Sequence, residues 1–335
     1  TARRKEERNQ DVPVAITAFR NERLNEMRVV DTQSLQSIVP SLIVGGNGQG
    51  SRDSQALSIR GQGATFQANP SVVVYMAEAP LPGTITISAQ GGPGNYLDLQ
   101  NVQVLKGPQG TLFGRNTTGG ALLLSPQRPT DRMEGYVQVQ GGNYNDREVQ
   151  LVANVPLIED KLLMRFAGEI VDRDGYTKDV NWNKDRDDRH YWTGRLGVTW
   201  RPTDKIENYL MAYNTWSRNN GAGQVGKGIN LAAYGLPAEA PYFGYNQCDP
   251  GTGIPFLNPV GPCSAYQAEI DAQNARGNRK VSHNTDSFSK IKTWGVTDIL
   301  DLQLTENLTL RNIANYAEIK SYLATDGDGY NLPSY

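Results

Sequence analysis

Residues 97–124 read LDLQNVQVLKGPQGTLFGRNTTGGALLL, and this stretch decides the fold of the first part of the chain. Its opening residues predict a β-strand that ends at Lys106. Five glycines follow between positions 107 and 120, and glycine readily adopts the positive φ angles that tight turns require. We therefore expect a strand followed by a tightly turned loop, with Leu112 and Phe113 anchoring that loop by burial.

The surrounding residues, 11–130, mix short apolar runs with glycine-rich turns. Asp31 is a candidate N-cap for a short helix that ends at Pro40. The remaining apolar runs predict strands, at 12–19, 56–60, 71–76 and 101–106. Together these elements predict a compact α+β domain with long loops.

After Gly135 the pattern changes to longer segments in which apolar and polar residues alternate. The clearest segment places Trp192, Leu196 and Trp200 on one face, opposite Thr193 and Arg195. We count about seven such strands, joined by turns that alternate short and long, with the longest loop at about 218–287. Turn lengths of this kind favour an antiparallel transmembrane β-barrel. A soluble antiparallel sandwich also alternates and stays open as the alternative.

Composition excludes several classes of protein. The 33 basic and 35 acidic residues are nearly balanced and scattered, so the chain has no electrostatic footprint for nucleic acid. No stretch approaches the 18 apolar residues that indicate a membrane helix. The mean hydropathy of −0.53 is compatible with barrel strands, because their lipid-facing and lumen-facing residues alternate.

The two cysteines, Cys248 and Cys263, lie in a region rich in glycine and proline. A disulfide that closes a surface loop is one interpretation, and it suits an oxidising compartment outside the cytoplasm. Free thiols are the alternative. A metal site needs more ligands, and the two histidines, His190 and His283, are far away in sequence.

Three motifs in order resemble the plug domain of TonB-dependent outer-membrane receptors. They are 97–124, in which VLKGPQGTLFG returns through GRNTTGGAL; LSIRGQG at 57–63; and VVVYM at 72–76. The family usually ends this last strand in an Asp-Gly turn, but this chain has Ala77-Glu78, which questions the geometry of the turn. Residues 1–19 resemble the junction that follows the energy-coupling segment.

The resemblance implies three regions. Residues 1–10 would be a flexible remnant behind the TonB box, 11–130 the plug domain, and 135–335 the first strands of the barrel. Plugged transporters have about 22 strands. We therefore expect the seven strands to be part of a larger barrel whose remaining strands come from residues beyond this sequence or from another chain.

The resemblance also implies a function and its partners. The receptor would import a scarce nutrient, most often a ferric siderophore, using work delivered by the C-terminal domain of TonB, and it would need no cofactor. Outer-membrane lipid and a small-molecule ligand are further expected partners. Two alternatives stay open: a passive or adhesin-like barrel, and a receptor for a non-iron substrate such as an oligosaccharide or cobalamin.

By motif position, Arg60 and Lys106 correspond to basic plug residues that pair with glutamates of the barrel wall in related receptors, and Arg115 is a third candidate. Lysine in place of the usual arginine loses the bidentate fork. A local salt bridge within the plug is the alternative for the first two residues, and a surface turn for Arg115. The substrate-facing candidates, for which loop packing is the alternative, are Phe66, Gln67, Tyr96, Tyr242, Phe243 and Tyr245.

The sequence carries no signature of an enzyme or a metal site. No Gly-x-Gly-x-x-Gly follows a strand and opens a helix, and Gly-x-Ser-x-Gly, His-Glu-x-x-His and Cys-x-x-Cys are absent. The carboxylates at 172–174 and 185–188 lie on polar loops, where we expect them to be solvated. The segment 326–329 lacks the bidentate glutamate of a calcium loop.

Overall fold

The computed structural model describes residues 15–46, 55–63, 69–83, 90–227, 248–249, 261–326 and 331. Two bodies of structure follow each other along the chain. A small α+β domain, called the plug below, is followed by a seven-stranded antiparallel sheet, called the wall. The predicted fold class is confirmed.

The plug is built on a five-stranded sheet of order β1-β7-β8-β5-β6, in which only β5 and β8 pair in parallel. A smaller antiparallel sheet joins β2, β3 and β4. The elements are β1 Ala15–Arg20, α1 Asn21–Glu26, α2 Thr32–Gln36, β2 Leu42–Gly46, β3 Gln55–Ile59, β4 Gln62–Gly63, β5 Val72–Met76, β6 Ala79–Pro80, β7 Leu99–Lys106, α3 Gly110–Phe113 and β8 Gly120–Pro126.

The glycine-rich return from β7 to β8 forms as the sequence indicates. Gly120 has a φ of +153°, and a Cβ there would lie 2.3 Å from the carbonyl oxygen of Leu105. Phe113 is buried as predicted and packs edge-on against Tyr75, with ring centroids 5.1 Å apart. The prediction for Leu112 is wrong, because the single turn of α3 directs only one large side chain towards the sheet and leaves Leu112 41% exposed.

Two local predictions concern helix capping and the turn after β5. Asp31 caps α2 as expected: its carboxylate accepts from the Ser34 backbone N–H at 2.7 Å, although the helix ends at Gln36, before Pro40. The turn between β5 and β6 keeps a hairpin geometry without glycine, because Ala77 and Glu78 both adopt positive φ, at 47° and 68°. Non-glycine residues in this region cost about 1–2 kcal/mol each.

The wall has the strand order β20-β19-β15-β14-β11-β10-β9, which confirms the predicted count of seven. Short strands and a helix lie in its longer connections. The elements are β9 Glu134–Gly142, β10 Asp146–Ile158, β11 Leu162–Arg173, β12 Thr177–Asp179, β13 Lys184–Arg186, β14 Arg189–Thr203, β15 Ile206–Asn219, β16 Cys248–Asp249, β17 Gly261–Pro262, α4 Cys263–Arg276, β18 Lys280–Val281, β19 Phe288–Thr305 and β20 Leu308–Ala324. No helix within the described ranges is long and apolar enough to cross a membrane.

The two faces of the wall have the predicted chemistry. On β14, Trp192 and Trp200 are exposed, whereas Thr193, Arg195 and Thr199 are buried on the opposite face. The plug lies on this second face, where Tyr209, Met211 and Ile299 of the wall join the same hydrophobic cluster as Val74 and Leu122 of the plug. The inward face of the wall is therefore mainly polar, with an apolar patch where the plug core touches it.

The prediction that the charges at 185–188 are solvated is wrong for three of these residues. Arg186, Asp187 and Asp188 are at most 3% exposed. The reason is that β12, β13 and β18 form a small sheet over the end of the wall, which buries charged groups from separate connections against one another.

Candidate functional site

A cavity of about 200 Å³ lies where the plug meets the ends of β11 and β14 from which the long connections leave. The plug contributes the segment 92–96 and the start of α2 to its lining. The wall contributes Arg173, Tyr176 and Arg189. The cavity is thus bounded by both parts of the chain and faces the long connections.

Arginine and tyrosine side chains dominate the wall side of this cavity. The guanidinium carbon of Arg173 lies 5.5 Å from the centre of the Tyr176 ring, and that of Arg279 lies 5.0 Å from the same centre. Arg173 donates to the carbonyl oxygen of Asp187 at 2.6 Å, whereas its Nε is buried without a hydrogen-bond partner in the described part of the chain. Such an arrangement suits an anionic ligand that can accept a hydrogen bond and stack on an aromatic ring.

Glycine allows the plug segment to approach the wall this closely. Gly94 has a φ of +79°, and a Cβ there would lie 2.5 Å from Cγ2 of Thr193. Gly92 has a φ of +86°, and its Cβ would lie 3.2 Å from Cγ2 of Ile291. The segment that lines the cavity is therefore fixed against β14 and β19 by close backbone packing.

Tyr96 is the predicted substrate-facing residue that the structure describes, and it lines this cavity beside Thr32. Burial raises the pKa of its hydroxyl well above the usual value, so the side chain stays a neutral phenol at physiological pH. The other five candidates, Phe66, Gln67, Tyr242, Phe243 and Tyr245, lie outside the described residues.

The structure brings Arg60 and Lys106 together. Arg60 occupies the tight turn between β3 and β4 with a φ of 53°, and Lys106 ends β7. Burial, and then the charge of Arg60, lower the pKa of Lys106. Arg115 follows α3 and lines another cavity, of about 400 Å³. Among the described residues no carboxylate lies within ion-pair distance of these three side chains.

The disulfide between Cys248 and Cys263 stays a prediction. The backbone of Cys248 starts β16, which pairs in parallel with β17 directly before Cys263.

Charged contacts that the sequence did not reveal join the plug to the wall. Asp98 of the plug pairs with Arg165 of β11, and Glu78 pairs with Arg311 of β20 at 3.0 Å. In both contacts the acid belongs to the plug and the base to the wall, the opposite of the polarity predicted for Arg60 and Lys106. The sequence did contain one indication of such a contact: Arg165 places a charge on the inward face of a strand whose outward face is apolar.

A buried ionic network holds the connections above the cavity. Arg186 donates to Asp179 Oδ2 at 2.8 and 3.0 Å, and His283 places Nδ1 3.2 Å from the same oxygen and Nε2 2.9 Å from the Gln224 carbonyl oxygen. Burial alone would raise the pKa of Asp179, but its hydrogen-bond and charge interactions with His283 and Arg186 lower it to about 2. Burial likewise opposes protonation of His283, but its contacts with Asp179 and the Gln224 carbonyl raise its pKa.

Comparison with known proteins relates these features to a family. A family model described as the TonB-dependent receptor plug domain matches residues 8–121. The pesticin receptor of Yersinia pestis is 30% identical over 126 residues, which make up 37% of this chain and 18% of that receptor. The ferrioxamine B receptor of Salmonella typhimurium is 30% identical over 115 residues, 34% of this chain and 16% of that receptor. The chain therefore matches less than a fifth of the length of these relatives.

Solved structures share the arrangement of plug and wall. The ferric yersiniabactin uptake receptor of Yersinia pestis superposes with a TM-score of 0.70 at 18% identity, over 92% of this chain and 41% of that chain. The ferric preacinetobactin receptor of Acinetobacter baumannii superposes with a TM-score of 0.67 at 13% identity, over 95% and 39% of the two chains. At these identities the likeness shows a common fold. Together with the plug-domain match over residues 8–121, it shows that the chain carries the plug domain of the TonB-dependent outer-membrane receptors, followed by a wall that shares the fold of part of their β-barrel.

Proposed function

We propose that the receptor containing this chain imports a ferric siderophore or a similar anionic iron complex across the outer membrane, driven by TonB. The observation that carries the proposal is a plug seated on the polar inward face of the wall, with an arginine- and tyrosine-lined cavity at the end that faces the long connections. That the ferrioxamine B receptor is a relative supports an iron complex as the cargo.

The chemistry of the cavity favours an anionic chelate. The Nε–H of Arg173 is buried and has no hydrogen-bond partner among the described residues, and the guanidinium groups of Arg173 and Arg279 lie over the ring of Tyr176. Charge-assisted hydrogen bonds are about twice as strong as neutral ones. A ligand with exposed carboxylate, catecholate or hydroxamate oxygens would accept a hydrogen bond from the Nε–H of Arg173, whereas a ligand without such acceptors would leave this N–H without a partner among the described residues.

The edges of the wall and the basic residues Arg60 and Lys106 extend the same proposal. Strands β9 and β20 each have one neighbour within the described sheet, and an unpaired edge is costly in lipid. We therefore propose that further strands pair with both edges and supply the carboxylates for Arg60 and Lys106. A two-residue basic site facing such carboxylates would hold the plug in place until work from TonB releases it.

Uptake and binding assays test the proposal. Iron-limited cells that express the full-length receptor should grow on at least one member of a panel of ferric siderophores, and growth should stop when TonB is deleted. Loss of one charge-assisted hydrogen bond costs about 1.5–3 kcal/mol, so Arg173→Gln should weaken binding of that chelate roughly tenfold or more. The matched control is Arg23→Gln, which removes an exposed arginine on α1 and should leave binding unchanged.

Three outcomes would contradict parts of this proposal. Uptake that persists without TonB would favour a passive barrel. Binding of cobalamin or an oligosaccharide, with no binding of any ferric chelate, would favour a non-iron substrate. If the Arg173→Gln variant bound the chelate as tightly as wild type, the cavity would not be the binding site.

A further inference from the structure

We infer that Asp98 is a positioning residue that anchors the plug to the wall, and that this anchor stays closed while substrate passes. The inference rests on the proposed transport function. It concerns a contact in which the plug supplies the acid, the opposite of what is predicted for Arg60 and Lys106, and which lies at a different place on the plug.

The anchor begins with a buried, two-point ion pair. Arg165 of β11 donates from Nε to Oδ2 of Asp98 at 2.8 Å and from Nη2 to Oδ1 at 2.7 Å. Only 9% of the arginine side chain and 5% of the aspartate side chain are exposed. This parallel pair of bonds fixes both the distance and the plane of the carboxylate.

The backbone of the same plug residues is held by a second arginine. Arg195 of β14 donates from Nη2 to the carbonyl oxygens of Leu97 and Asp98, the second at 2.9 Å. The register pairs Arg195 with Ala167 and Arg165 with Gly197, so the two arginines point inward from neighbouring strands. The carbonyl groups accept these bonds because Asp98 has a φ of 46°, which turns the chain at this point before β7 begins.

An apolar contact completes the anchor. The side chain of Leu97 packs with Val152 of β10 and Ala167 of β11 in a small cluster of its own. Three neighbouring wall strands, β10, β11 and β14, therefore hold two consecutive plug residues.

The other charged contacts between plug and wall are more exposed. In the pair between Glu78 of the plug and Arg311 of the wall, the glutamate side chain is 25% exposed and the arginine side chain is 37% exposed. Water screens such pairs, and their contribution is usually small. Removing one partner from a buried pair is costly, because it leaves an uncompensated charge. Within the described residues, the contact at Asp98 is therefore the strongest point of attachment between the two parts.

The anchor also lies far from the end of the plug on which work from TonB would act. Ala15 at the start of β1 pairs with Lys106, whereas Arg20 pairs with Asn101, close to the anchored end of β7. Separation of β1 from β7 can thus begin at Lys106 while residues 97 and 98 remain attached. We infer that the plug changes shape about this fixed point.

The first experiment measures the anchor without relying on transport. Hydrogen exchange of the β7 amides is followed in the full-length receptor in detergent micelles. Asp98→Asn should increase the opening of the β7 hydrogen bonds roughly a hundredfold, because the charged side chain of Arg165 stays buried without its ionic partner.

The matched control, Asp301→Asn, breaks the equally bidentate but more exposed pair with Arg311 and should change exchange less than about fivefold. Chelate binding at the cavity should stay within about twofold of wild type, which separates loosening from misfolding. Equal exchange in the two variants would overturn the anchor.

The second experiment asks whether the anchor stays closed. Leu97→Cys and Ala167→Cys are introduced together in a Cys248→Ser/Cys263→Ser background and joined by a short thiol-reactive cross-linker, with the same receptor before cross-linking as the control. TonB-dependent uptake should be unchanged after cross-linking. Loss of uptake only after cross-linking would overturn the fixed point but leave the transport proposal intact. Failure of the wild-type receptor to take up any ferric chelate would defeat the transport proposal, and the exchange result would still report on the anchor.

Discussion

The turn between β5 and β6 offers a quantitative test of how the plug is joined to the wall. Glu78 holds a positive φ of 68°, which costs about 1–2 kcal/mol for a residue other than glycine. Its carboxylate accepts a hydrogen bond from Arg311 at 3.0 Å, and a half-exposed pair contributes about 0.2–1 kcal/mol. We therefore expect Glu78→Gly to stabilise the receptor by about 1 kcal/mol, since the relief of strain exceeds the lost ion pair.

A double-mutant cycle separates the two contributions. Glu78→Ala removes the ion pair but keeps the strain, so it should destabilise by up to about 1 kcal/mol. In an Arg311→Gln background the gain from Glu78→Gly should be larger than in wild type, by the energy of the pair. The assay is calorimetric unfolding of the full-length receptor in detergent, where an unfolding entropy of about 2.1 cal/mol/K per residue makes 1 kcal/mol correspond to about 1.5 °C or less for a protein of at least this length. If Glu78→Gly destabilised as much as Glu78→Ala, the turn would not be strained and the reasoning would fail.

Three further predictions concern close packing and the network above the cavity. Gly94→Ala should weaken chelate binding, because the new methyl group would overlap Thr193; Thr193→Gly should restore part of it in a binding titration. Gly120→Ala should lower the free energy of unfolding several-fold more than a substitution at an exposed position does, because its Cβ would overlap the Leu105 carbonyl oxygen of β7. A lower unfolding temperature would show this loss of stability. His283 has a pKa raised above 6.5, so its contribution is fully present below pH 6.5 and is lost as the pH rises through the raised value. Asp179, with a pKa lowered to about 2 from 3.8, loses its contribution only as the pH falls from about 4 towards 2. Hydrogen exchange of the connections, corrected for intrinsic rates, should therefore be slower at pH 6 than at pH 8, and His283→Gln should abolish that difference.

Patterns that are local in sequence predicted local structure. Alternation along 192–200 indicated which face of β14 is buried, because each side chain's direction follows from its neighbours. The N-cap at Asp31 was equally readable, since a capping residue bonds within its own first turn. The length of α2 was harder to predict: its apolar spacing continues to Val39, but the helix ends at Gln36 and the chain goes on as a turn, in which the Val39 N–H still donates to the Leu35 carbonyl oxygen.

Contacts between distant residues could not be read in the same way. Asp179 lies 104 positions from His283, so their ion pair depends on how the long connections fold over the wall. A charged stretch looks solvated when only its neighbours in sequence are considered. Burial of Arg186 became visible only when β12, β13 and β18 formed one small sheet.

The polarity of plug–wall contacts follows from the inward face of the wall, strand by strand. Arg165 and Arg195 are the inward charges on β11 and β14 nearest residues 97 and 98. Opposite them the plug places acceptors: the Asp98 carboxylate for Arg165, and two backbone carbonyl oxygens for Arg195. On β15 the inward charge is Glu207, which binds Arg128 in the segment leading from the plug. An arginine that interrupts the inward face of a barrel strand thus predicts an acceptor on the plug opposite it, because a charge buried between the two layers must be paired. By the same reasoning the basic residues Arg60 and Lys106 predict inward carboxylates on the strands that face them.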